Sequence, residues 1–141
     1  MKTRAIRQLL ATLLLIFISL GSYSQTDTIF WYAVPEVDDT HGDSPIVLRF
    51  ATGDVPTTTI TISVPADNGV NFTPMTITMD ANSTRQVDLT SWKAFLENSI
   101  SGQSQNKGLL IESTERVAAY YEVVNGTNAD VISLKGTNAL G

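Results

Sequence analysis

The 141-residue chain contains no cysteine. That excludes thiol catalysis, disulfide bracing and any cysteine-ligated metal centre. It also excludes a lipid-anchored lipoprotein, since no cysteine follows the apolar run near the N-terminus. Histidine occurs once, at His41, so a zinc site of clustered histidines is excluded as well. A Ser–His–Asp triad would have to use His41, and no serine sits in a Gly-x-Ser-x-Gly elbow. The chain lacks a glycine-rich phosphate loop, a dinucleotide fingerprint, heptads and any repeat of fixed period.

What is present begins with the three parts of a secretory signal. Lys2, Arg4 and Arg7 give a positive start, and Leu9 to Leu20 is almost unbroken apolar sequence. Ser22-Tyr23-Ser24 then supplies small residues for cleavage, which we place after Ser24. Twelve residues rise only about 18 Å as a helix, too short for a hydrocarbon core of about 30 Å. The expected organisation is therefore a signal peptide over 1–24 and one domain over 25–141, with no membrane span after cleavage. The signal takes three of the nine Lys and Arg and none of the 14 Asp and Glu, which leaves the remainder at a net −8. Such acidity argues against nucleic acid or an anionic membrane as partner. Without disulfides, the domain depends on core burial alone.

The remainder reads as β structure. Thr28 to Val34 is a continuous aromatic and β-branched run closed by Pro35, the pattern of a strand covered on both faces. Ile46 to Ala51 and Thr57 to Val64 alternate with a period of two. Met75 to Met79 and Thr84 to Leu89 flank a polar turn and read as a hairpin. Three strand-like runs follow between Gly108 and Gly141, of which the middle one, Arg116 to Val124, is taken as the centre of the sheet. One helix interrupts the series: Thr90 or Ser91 can cap it, and Trp92, Phe95 and Leu96 fall on one stripe. The fold expected is an all-β antiparallel sandwich of about eight strands with one short helix.

One polar constellation stands out: Glu36, Asp38, Asp39, His41 and Asp43. Oxygen ligands this close together can wrap a calcium ion, although the spacing is not that of an EF-hand. A catalytic carboxylate pair is a second reading, and a solvated acidic turn is the third. We take Asp38, Asp39, His41 and Asp43 as candidate binding residues, with calcium as the one cofactor they could hold and no catalytic residue assigned. Phe30, Trp31, Tyr32, Tyr120 and Tyr121 could build a sugar-stacking platform, but on alternating strands half of them must point inward.

Several stretches together resemble a known family. They are Phe30 to Glu36, His41 to Ile46, Leu109 to Thr114, Ala119 to Glu122 and the closing Leu134-Lys135-Gly136-Thr137-Asn138-Ala139-Leu140-Gly141. The set resembles the N-terminal region of IgGFc-binding-protein-like domains in large secreted proteins of Bacteroidetes-type bacteria. The resemblance implies an extracellular, β-rich, non-enzymatic binding or adhesion module at the cell surface, with a protein or glycan ligand. It also implies further strands beyond Gly141, so that the chain reads as the front piece of a longer protein and the run Val131 to Leu134 as an open sheet edge. A carbohydrate-active enzyme or its accessory module, and a structural surface-assembly component, are the alternatives.

Overall fold

The computed structural model describes residues 25–36, 44–100, 102–125 and 128–137. The expected signal peptide lies outside them, as do Asp38, Asp39, His41 and Asp43. Seven strands run in chain order: β1 (Thr26–Tyr32), β2 (Ile46–Thr52), β3 (Thr57–Ser63), β4 (Met75–Asp80), β5 (Thr84–Asp88), β6 (Leu109–Asn125) and β7 (Asn128–Ser133). Between β5 and β6 a 3-10 turn over Thr90–Trp92 leads into a four-residue helix, α1 (Lys93–Leu96).

All seven strands belong to one antiparallel sheet curled into a half-barrel, not to two facing sheets. The reason lies in β6, which is 17 residues long. Glu112, Glu115 and Arg116 suggest a break at its middle, yet the strand continues through them. Its odd-numbered residues Leu109, Ile111, Val117, Ala119, Tyr121 and Val123 stay buried on both sides of the polar stretch. Along one edge of β6, β2 covers positions 123 to 117 and β3 covers 113 to 110. Beyond these, β5 pairs with β2 and β4 with β3. Along the opposite edge, β1 covers 118 to 109 and β7 covers 125 to 120. The sheet is thus a few long ribbons, each turned at a corner. Corner-turning lets one sheet enclose the core that two sheets would otherwise sandwich.

The expected β4–β5 hairpin does not form, because each strand pairs with a different half of the β2–β3 ribbon. The turn between them, Ala81 to Ser83, lies against the turn that follows β2. Asn82 adopts φ 50° there and its N–H donates to the Gly53 carbonyl at 2.6 Å. The Thr52 hydroxyl donates to the Asp80 carbonyl at 2.6 Å and accepts from the Ser83 N–H at 3.0 Å. Polar turn residues here satisfy backbone groups that the broken ladder leaves open. In the loop after β3, Asp67 performs the same service by accepting from the Asn71 and Phe72 N–H groups, each at 2.7 Å.

The concave face carries the core. Phe30, Leu48, Phe50, Ile60, Ile62, Phe72, Leu89, Ile111 and Tyr121 are all buried within it, and each such side chain contributes about 1.5–3 kcal/mol. Leu96 is buried with them, while Trp92 and Phe95 pack against the cluster from α1 and its leading turn. The stripe read from the sequence is therefore the face that caps the core. Trp92 also meets Phe72 ring to ring at 5.2 Å. Asn98 fastens this cap to the end of β1, donating through both its backbone and side-chain nitrogens to the Val34 carbonyl.

Candidate functional site

The five aromatic residues sort by strand alternation. Phe30 and Tyr121 are fully buried. Tyr32 lies against Tyr121 with ring centroids 4.9 Å apart. Its hydroxyl has no hydrogen-bond partner among the described residues, and burial pushes its pKa up to about 12. Trp31 and Tyr120 remain, and both lie on the convex face. β1 was expected to be covered on both faces; instead Ile29 and Trp31 stand outward, at 37% and 57% exposure.

Trp31 lines one wall of a cleft of about 290 Å³ with Tyr32, Ile132, Ser133, Leu134, Lys135 and Thr137. Its indole lies close over Gly108, where an added Cβ would come within 3.7 Å of the ring. Backbone thus supports one side of an aromatic plate that is otherwise largely open. Exposing this much indole forgoes burial free energy that packing would otherwise supply.

The segment after β7 builds the other wall, and a buried acid fixes it in place. Asp27 is 4% exposed and accepts from the Thr28 N–H at 2.7 Å and the Thr137 hydroxyl at 3.2 Å. Gly136 pairs with Phe30 in an isolated bridge, and its Cα is so close to Asp27 that an added Cβ would lie 2.1 Å from the Asp27 Cβ. Glycine is required here by close approach, not by backbone angle. This contact gives a physical role to Gly136 within the closing segment singled out from the sequence.

A second hollow, about 410 Å³, lies on the convex face of the other half of the sheet. It is lined by Arg49, Phe50, Ala51, Thr84, Arg85, Gln86 and Tyr120. Arg49 of β2 is ion-paired with Glu122 of β6, across 73 positions of sequence.

Of the acidic constellation only Glu36 is described, and it is exposed. Among the described residues, no group of three or more His, Asp and Glu is arranged to hold a metal ion. No described helix is long and apolar enough to cross a membrane. Sequence reasoning named Trp31 and Tyr120 only as two of five aromatics. It missed the clefts themselves, because their walls come from strands far apart in sequence, about a hundred positions for the Trp31 cleft and about 35 to 70 for the second hollow.

No family model matches the chain, and no curated protein matches it. Among solved structures, it is similar to the crystal structure of Thermotoga maritima 1070, at 13% identity and a TM-score of 0.40. That likeness covers 77% of this chain and 91% of the other.

Proposed function

We propose that this chain is a secreted, non-enzymatic binding or adhesion module of the bacterial cell surface. The observation that carries the reading is Trp31, 57% exposed on a strand, supported by Gly108 and set in a cleft with Lys135, Ser133 and Thr137. An aromatic plate beside the exposed Lys135 and hydroxyl oxygens that can accept holds an extracellular ligand by stacking and hydrogen bonding, without a reacting group. The secretory signal and the resemblance to IgGFc-binding-protein-like domains agree with it. The test is fluorescence titration of the purified chain against extracellular glycans and proteins. A saturable change in tryptophan emission that Trp31→Ala removes is expected. Turnover of any polysaccharide or peptide substrate would instead favour a carbohydrate-active enzyme.

A structural surface-assembly role is the second reading. It is favoured by β7, an edge strand with Val131 and Ile132 at 60% and 40% exposure. Concentration-dependent self-association in sedimentation velocity would support it, and a strict monomer at high concentration would remove it.

A further inference from the structure

We propose that the convex-face hollow between β5, β2 and β6 is a subsite for a neutral saccharide. This assignment rests on the binding-module reading and gives it a ligand class. Strand register places Gln86, Arg49, Tyr120 and Ser133 in one row across four strands. The neighbouring row is Thr84, Ala51, Ala118 and Thr26. Ala51 leaves a shallow floor to the hollow beside the longer side chains of Arg49 and Tyr120. On the other flank Val47 is only 1% exposed, so the surface is closed there. The hollow, about 410 Å³, falls in the size range of small-ligand sites, roughly 300–1,000 Å³.

The chemistry of the walls selects the ligand. A hexose has an apolar C–H face and a rim of hydroxyls that both donate and accept. Tyr120 and the Ala51 floor match the first. Gln86, Thr84 and the Tyr120 hydroxyl match the second, because amide and hydroxyl groups also both donate and accept. The Arg49–Glu122 pair supplies a fork of donors beside a carboxylate acceptor, an arrangement complementary to neighbouring hydroxyls. Glu122 already neutralises Arg49, and the Arg85 guanidinium at the rim is turned to the Thr78 carbonyl, so the Arg49–Glu122 pair at the centre offers no surplus positive charge to an acidic sugar. The chain's net charge of −5 repels such ligands further.

The test is a glycan array of neutral hexo-oligosaccharides and uronate-containing oligosaccharides, followed by ¹⁵N-resolved NMR titration of the purified chain with the best neutral binder. Neutral oligosaccharides are expected to shift the amides of Arg49, Ala51, Gln86 and Tyr120. Ala51→Leu, which fills the floor, and Tyr120→Ala are each expected to weaken binding at least about tenfold, which is about 1.4 kcal/mol. Thermal melting identifies any variant that fails to fold, and Ala51→Leu changes only the convex surface. Shifts confined to the Trp31 cleft would overturn this assignment and leave the binding-module reading standing. So would binding of uronates alone, or unchanged affinity in Ala51→Leu. Absence of binding by any glycan or extracellular protein would overturn both.

Discussion

At the scale of single residues, the sharpest constraint is the contact between Asp27 and Gly136. Gly136→Ala forces a methyl group into the space of the Asp27 side chain. We expect a loss of about 1–3 kcal/mol, read as a lowered midpoint in urea denaturation. Lys135→Ala, one residue away and exposed, should leave the midpoint unchanged. Tyr32 poses the opposite case. Its buried hydroxyl lacks a partner among the described residues, so Tyr32→Phe should cost nothing or stabilise by up to about 1 kcal/mol. The same burial has a pH consequence. A phenol whose pKa rises from 10.0 to about 12 on folding keeps its proton longer when folded. Its contribution is complete below pH 10 and is lost as pH rises towards 12, so alkaline unfolding should shift to higher pH in Tyr32→Phe. On the acid side, the Thr90 side chain and backbone hold the Asp88 carboxyl below the ordinary range against a smaller effect of desolvation. Stability from this acid is present above its ordinary pKa and is lost as pH falls through the lowered one. Acid melts of Asp88→Asn should show a shallower dependence there.

At the scale of elements, the corner between β2 and β3 carries the next prediction. Thr52→Val keeps the side-chain shape but removes an oxygen that both donates to Asp80 and accepts from Ser83. A loss of about 1–2 kcal/mol in chemical denaturation is expected, with binding at the Trp31 cleft retained. Such corners also mark where the sequence stops being legible. The alternation over Thr57 to Val64 places β3 within one residue, and the stripe of Trp92, Phe95 and Leu96 places the cap. Alternation says which residues share a face, not which strand lies alongside. The polar turn Asp80 to Ser83 therefore reads as a hairpin loop, although its flanking strands pair with β3 and β2 instead. Similarly, Glu112 and Arg116 read as a break because they are charged, yet both occupy outward positions of an uninterrupted strand. The clefts were out of reach for the same reason. Periodicity implies that some of the five aromatics face solvent, but only register selects Trp31 and Tyr120. The Arg49–Glu122 pair depends on a pairing between strands that the intervening sequence does not specify.

At the scale of the whole molecule, β1, β4, β5 and β7 each pair along one edge with a single strand, whereas β2, β3 and β6 are paired on both edges, β6 along most of its 17 residues. Hydrogen exchange should therefore be slowest in β6 between Val117 and Val123, and faster in β4 and β7. If β7 mediates association, Val131→Lys should abolish it, since a charge at an exposed edge position blocks edge pairing. The position of β6 in the chain has one more consequence. The ribbon to which β1, β2, β3 and β7 all attach starts only at Leu109. A polypeptide emerging from its N-terminus has produced over a hundred residues before the template for their assembly exists. Until then β2 can pair only with β5 and β3 only with β4, so the two halves of the sheet consolidate into one only once β6 has been made.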